Sequence, residues 1–153
     1  PMDDRVQTDW RFIPSVSLGG DAFGYHWLDE HRLALYLLDV CGHGVGPALL
    51  SITAMNVISK ESLPGVDFAN PGAVLSELNN RFQMQDHQGM FFTIWYGVYD
   101  DQKKTLDWSG GGHPPAVLID KQTEHPVLLD SDGPMVGAVM DLEFETPMGM
   151  HME

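Results

Sequence analysis

The stretch from Ser17 to Ser51 reads SLGGDAFGYHWLDEHRLALYLLDVCGHGVGPALLS, and the fold can be predicted outward from it. A near-continuous apolar run, Leu33–Leu38, is followed directly by Asp39 and by a turn that contains two glycines. Such runs are typical of strands that are buried on both faces. We therefore predict a buried strand that ends at Asp39, with a helix that begins near Val45.

A second carboxylate, Asp21, follows Gly19-Gly20 and precedes an aromatic segment that is typical of a strand. Carboxylate oxygens on tight, glycine-containing backbone suit hard cations such as Mg²⁺ or Mn²⁺. A buried carboxylate without a partner is costly, which favours a metal at Asp39. The alternatives are an ordinary turn residue for Asp21 and a helix-capping residue for Asp39.

The composition limits the class of protein. The 153 residues are 43% hydrophobic, which suits one domain with one core. No apolar run approaches the roughly 20 residues that span a bilayer. No basic leader followed by an apolar segment opens the sequence, so we expect no signal peptide. Cys41 is the only cysteine, so no intrachain disulfide can form, and we expect a cytoplasmic protein.

The charge balance excludes two kinds of partner. Lys and Arg number 8 against 22 Asp and Glu, which gives a net charge of −14. Binding to nucleic acid or to an anionic membrane needs clustered cations, so we expect neither partner.

Hydrophobic periodicity predicts an α+β fold with a largely antiparallel core. Strands are predicted over 8–13, 22–28, 33–38, 90–100, 105–109, 116–119, 126–129 and 142–145, with a turn at 120–122. Helices are predicted over 45–60 and 71–83, the second capped by Asn70. The first helix is apolar over most of its circumference, which predicts that Leu49 is buried.

Several motifs in a fixed order resemble the bacterial PPM-type (PP2C-like) serine/threonine phosphatases of the SpoIIE/RsbU-like group. They are Gly19–Asp21, Asp39–Gly44, Ala48–Leu50, Phe92–Val98 and Gly111–Pro115. The resemblance implies an α-β-β-α sandwich of two mainly antiparallel sheets flanked by helices. It also implies that the metals lie between the sheets at one end.

The resemblance further implies a chemistry. Two Mn²⁺ or Mg²⁺ ions would be held by Asp21, Asp39 and the backbone carbonyl of Val40, and a metal-activated water would attack the phosphorus. Gly42 and Gly44 would let the backbone approach metal or substrate phosphate. The substrate would be a phosphoserine or phosphothreonine regulator such as an anti-sigma-factor antagonist, and a sensory or receiver domain would lie upstream.

Three further residues have a functional and a plain interpretation. His43 is a general-acid candidate by its side-chain type, and the alternative is a surface histidine. Cys41 is predicted to be a small packed residue rather than a nucleophile. His113 lies between glycines and prolines, where a hydrogen-bonding residue of a rigid turn is the favoured interpretation.

The match to the family pattern breaks off toward the end of the chain. The family places later metal carboxylates in a Ser/Thr-Asp-Gly turn and near the C-terminus. Ser131–Gly133 has the sequence of such a turn, but the residues that follow it match a family loop that lies upstream of that turn. We therefore expect a linker or frayed end over 1–7 and a partial phosphatase domain over 8–153, incomplete at both ends and weakly active or inactive by itself. The alternatives are a phosphatase-like regulatory or binding module without turnover, and an acidic α+β domain without metal.

Overall fold

Two antiparallel sheets and two helices form the fold in the computed structural model, which describes residues 5–13, 18–119, 125–147 and 149–152. The elements are β1 (Gly19–Trp27), β2 (Arg32–His43), α1 (Val45–Ser59), α2 (Pro71–Arg81), β3 (Phe92–Asp100), β4 (Thr105–Gly111), β5 (Ala116–Ile119), β6 (Pro126–Leu129) and β7 (Met150–His151). The larger sheet has the order β1-β2-β3-β4-β7, and β5 pairs with β6. The predicted turn at 120–122 and the first four residues of the predicted linker lie outside the described residues.

The alternation of side chains along β3 sorts them into two layers of core. Phe92, Ile94 and Tyr96 are buried on the face that packs against α1 and α2. Trp95 lies on the opposite face, where its Nε1 donates to the carbonyl oxygen of Leu129 in β6 at 3.0 Å. The β5–β6 hairpin therefore stacks on the larger sheet, and the predicted α+β arrangement of two antiparallel sheets is confirmed.

Helix α2 agrees with its prediction. The side chain of Asn70 accepts a hydrogen bond from the backbone N–H of Ala73 at 3.2 Å, and Pro71 occupies the first turn. Its apolar stripe, Val74, Leu75 and Leu78, is fully buried against the sheet. Local capping and periodicity agree here with the tertiary packing.

Helix α1 begins at the predicted residue, but the prediction that it is buried nearly all round is wrong. Leu50 is 5% exposed, whereas its neighbour Leu49 is 59% exposed, and Val45 and Ile52 are also exposed. A helix on one face of a sheet buries only the stripe that touches the sheet. The outer apolar side chains of α1 face solvent in the described structure.

Strand β2 is longer and more exposed than predicted. It continues to His43, so Asp39 lies inside the strand rather than at its end. Leu37 is 45% exposed and Asp39 is exposed, so neither the burial of both faces nor a buried carboxylate is correct. The reason is that the β5–β6 hairpin packs on tryptophans of β3 and β4 and leaves this part of β2 uncovered.

The predicted first strand over 8–13 is wrong, because these residues have no regular secondary structure. The segment lies across β1, with the rings of Trp10 and Phe12 centred 5.5 and 6.2 Å from that of Phe23. The two aromatic side chains share a contact, as alternation predicts. A strand, however, also needs a neighbour to which its backbone can hydrogen bond.

The predicted strand over 142–145 is also wrong. The backbone N–H of Phe144 donates to Ser76 Oγ of α2 at 2.8 Å, and the carbonyl of Glu145 accepts from Ser109 Oγ of β4 at 2.7 Å. Side chains thus form the hydrogen bonds that a neighbouring strand would otherwise form with these backbone N–H and C=O groups. The last strand is instead β7, which has two residues. Alternation of polar and apolar residues cannot be recognised in so short a segment.

Candidate metal centre

Two carboxylates lie side by side on the larger sheet. Asp21 of β1 is directly opposite Asp39 of β2, and Thr93 of β3 is directly opposite Asp39 on the other side. All three alternate with residues of the helix-facing core, so they lie on the face that also carries the β5–β6 hairpin. Side chains directly opposite in a ladder have Cβ atoms about 4.5–5.5 Å apart. The register therefore places Asp21, Asp39 and Thr93 in a row across three strands, here called the carboxylate row.

The carboxylate of Asp39 is electrostatically unfavourable in the absence of a cation. Its pKa is raised, first because surrounding atoms displace water and then because the charge and hydrogen bonding of Asp21 favour a shared proton. A divalent cation between two such groups would replace this repulsion with attraction. The pair is chemically suited to a hard metal ion.

The backbone beside the pair needs a glycine. A Cβ atom on Gly20 would lie 2.7 Å from the carbonyl oxygen and 2.8 Å from the Cβ of Val40. The register between β1 and β2 also shifts between Gly19 and Asp21, which is typical of a bulge. This close approach of β1 to Val40 is possible only because position 20, next to Asp21, carries no Cβ atom.

The available oxygen ligands fit Mg²⁺ or Mn²⁺ in kind but are few in number. Asp21 and Asp39 supply two carboxylates, and the backbone carbonyl of Val40, the residue after Asp39, remains the third predicted ligand. Within the described residues, no group of three or more His, Cys, Asp or Glu side chains is placed to hold a metal ion. Asp132 is exposed, and no described contact joins it to Asp39.

The glycine turn after Asp39 adopts the backbone that its composition predicts. Gly42 and Gly44 have φ angles of 96° and 103°, which favour glycine. The N–H of Gly44 donates to the carbonyl oxygen of Leu18 at 2.8 Å, so this group is already used. His43 is exposed at the end of β2, four residues after Asp39, and no described contact joins it to the two carboxylates. Cys41 is exposed, which corrects the prediction that it is packed.

His113 lies at the end of the carboxylate row, at the end of the sheets where the family resemblance places its turn, but its contact with Thr93 was not predicted. Its Nδ1 lies 2.8 Å from Thr93 Oγ1. Burial lowers the pKa of His113, and the charge of Asp21 opposes that shift. The motif Gly111–Pro115 was part of the resemblance, but nothing in it links His113 to Thr93, which lies twenty positions earlier.

Solved structures with the same fold support a common architecture. The SiaA-PP2C domain of Pseudomonas aeruginosa has a TM-score of 0.72 and 18% identity, with 89% of this chain and 52% of that chain covered. The PP2C phosphatase domain of SpoIIE from Bacillus subtilis, solved with a fragment of its regulatory domain, has a TM-score of 0.70 and 16% identity, with 89% and 38% covered. The fold is that of the PP2C-like phosphatase domains.

The sequence comparisons identify the family within that class. The family described as Stage II sporulation protein E (SpoIIE) matches residues 29–148. Phosphoserine phosphatase RsbP of Bacillus subtilis (strain 168) is 33% identical over 150 residues, which are 95% of this chain and 36% of RsbP. Phosphoserine phosphatase RsbU of the same organism is 24% identical over 154 residues, 100% of this chain and 44% of RsbU. The chain belongs to the SpoIIE family, as the motifs predicted, and spans less than half the length of these relatives. No helix of the described residues is long and apolar enough to cross a membrane.

Proposed function

We propose that this chain forms the metal-binding part of a phosphoprotein phosphatase that hydrolyses phosphoserine or phosphothreonine on a regulatory protein. The observation that carries the proposal is the direct pairing of Asp21 with Asp39 across β1 and β2. The relatives RsbP and RsbU are named as phosphoserine phosphatases. RsbX, a protein with a similar structure, was solved in complex with magnesium. The pairing of two carboxylates and the relatives point to the same chemistry.

The residues of the chain would divide the work between binding and orientation. Asp21 and Asp39 would hold a divalent cation through carboxylate oxygens, and Val40 would contribute its carbonyl oxygen. A bound Mg²⁺ or Mn²⁺ supplies positive charge that activates water and offsets the charge of a phosphoryl group. The paired strands restrict where the two carboxylates can move, and Gly20 lets β1 approach Val40 closely. A second ion would need oxygen ligands beyond these three.

The finer parts of the proposal come from the family resemblance. The substrate would be a phosphorylated anti-sigma-factor antagonist, and a sensory or receiver domain would control the activity. The excess of acidic residues disfavours nucleic acid as a partner.

Substitution of Asp39 in the natural full-length protein tests the proposal. We expect Asp39→Asn to reduce Mn²⁺-dependent hydrolysis of a phosphoserine protein by orders of magnitude, because a charged ligand is lost. Asp67→Asn is the matched control, since Asp67 is exposed and accepts a hydrogen bond from the N–H of Ala69, which asparagine can also do. Nearly unchanged hydrolysis by Asp39→Asn would contradict the metal role.

A second candidate function follows from the small number of ligands. A site with only Asp21 and Asp39 paired within the described residues would suit a module that binds a phosphorylated protein without turnover. Mn²⁺-dependent binding of the phosphoprotein by the full-length protein, with no release of phosphate, would favour this function over the enzyme.

A further inference from the structure

The backbone of His113 is held in place from both sides. Gly112 has a φ of 65°, and a Cβ atom there would lie 2.7 Å from Cγ of Met135. The N–H of Gly112 also donates to the carbonyl oxygen of Gly133 at 2.7 Å. Pro114 restricts the residue before it to extended conformations. The loop therefore presents the imidazole of His113 in a defined position.

The ring of His113 lies at the end of the carboxylate row. Its Nδ1 is 2.8 Å from Thr93 Oγ1, and Thr93 is opposite Asp39, which is opposite Asp21. The negative charge of Asp21 also acts on the ring. The row thus consists of two carboxylates, one hydroxyl group and one imidazole.

The hydrogen bond with Thr93 leaves one nitrogen of the ring for another partner. When the hydroxyl of Thr93 donates to Nδ1, the hydrogen of a neutral imidazole is on Nε2. No hydrogen bond within the described part of the chain uses Nε2 of His113, and this atom is not among the buried polar atoms that lack a partner. In that tautomer the ring has an accessible N–H donor on the same side of the sheet as the two carboxylates. An anion that a cation has drawn to Asp21 and Asp39 would be its natural acceptor.

We propose that His113 is a substrate-binding residue whose Nε2–H donates to the phosphoryl group at the Asp21–Asp39 site. This proposal rests on the proposed function, because the phosphoryl group is the anion that a phosphatase must bind. Thr93 orients the ring, and the Gly112 and Pro114 backbone keeps it in place. Loss of a hydrogen bond to a charged group weakens binding by about ten- to a hundredfold.

The test measures binding of inorganic phosphate to the full-length protein in the presence of Mn²⁺, by calorimetry. His113→Ala should weaken phosphate binding at least about tenfold, while Mn²⁺ affinity and the melting temperature change little. His113→Gln should keep much of the affinity, because its amide can donate. His151→Gln is the control, since His151 is an exposed histidine in β7. With a phosphoprotein substrate, His113→Ala should raise KM more than it lowers kcat.

Each outcome separates this proposal from the proposed function. Unchanged phosphate affinity in His113→Ala would overturn the binding role, and so would a parallel loss of Mn²⁺ affinity or thermal stability, which would make His113 a structural brace. Failure of the wild-type protein to bind phosphate with Mn²⁺ would overturn it as well. If the wild-type protein binds phosphate through His113 but hydrolyses no phosphoprotein, the proposed function fails and the role of His113 in binding phosphate stands.

Discussion

Two neighbouring leucines of helix α1 should respond very differently to the same truncation. Leu50 faces the sheet and is 5% exposed, whereas Leu49 faces outward and is 59% exposed. We predict that Leu50→Ala strongly destabilises the protein and that Leu49→Ala does not. Because helix propensity changes equally in the two variants, the difference between them reports only burial.

The magnitude follows from the exposed fractions. Truncation of a buried leucine removes its transfer free energy and leaves a cavity, which together cost about 2–5 kcal/mol. Leu49 has only about two fifths of its surface removed from water, so at most about 1 kcal/mol is lost. At roughly 2–4 °C per kcal/mol for a chain of this size, Leu50→Ala should lower the melting temperature by about 4–20 °C.

Urea denaturation of both variants, followed by circular dichroism, measures the difference in free energy of unfolding. The linear slope should remain the same in the two variants, so that the midpoints compare directly. Equal losses of stability would show that Leu49 is as buried as Leu50, and the position of α1 on the sheet would be wrong.

Three further predictions concern the site and the core. Because folding raises the pKa of Asp39, the metal-free protein loses stability as the pH rises through that pKa. Asp39→Asn should therefore have a higher melting temperature than wild type near neutral pH, and the difference should disappear in acid. A lower melting temperature of the variant at neutral pH would contradict the repulsion by Asp21. Asn79→Ala should lower the free energy of unfolding by about 1–3 kcal/mol, because the buried amide of Asn79 accepts from the N–H of Gly137 and donates to the carbonyl oxygen of Val139, at 2.8 Å each. A urea midpoint equal to that of wild type would refute this prediction. The 153-residue chain should bind Mn²⁺ weakly in a calorimetric titration, since within the described residues only Asp21 and Asp39 pair at the site and no group of three acidic, histidine or cysteine side chains is placed to hold a metal. Tight binding of two ions would show that other acidic residues complete the site.

Elements whose ends and buried faces are marked in their own sequence were predicted well. Helix α2 has its cap at Asn70 and a buried stripe, and the β3–β4 hairpin has a polar turn between alternating strands. In these segments the local preference and the tertiary environment agree. Helix α1 carries apolar residues on every side, so periodicity could not show which side meets the sheet, and the predicted burial of Leu49 was wrong.

The candidate site was predicted in part. The types and spacing of Asp21 and Asp39 indicated a hard-metal site, and the structure pairs the two residues; their role as ligands remains a prediction. The burial assigned to Asp39 was wrong, because exposure depends on how far the second sheet extends over β2. His113 could not be placed, since its contact with Thr93 depends on the register of β3 and on a loop held by Gly133.

The sequence by itself determined the class of fold and the family, and it drew attention to Asp21 and Asp39, because these inferences depend on local patterns and on the order of motifs along the chain. Only the tertiary structure decided which residues share the carboxylate row, which face of α1 is buried, and that residues 8–13 and 142–145 are not strands. The physical reason is that register, exposure and strand pairing are properties of neighbours. A segment with the right alternation becomes a strand only where another backbone offers its hydrogen bonds, and an apolar side chain is buried only where another element covers it.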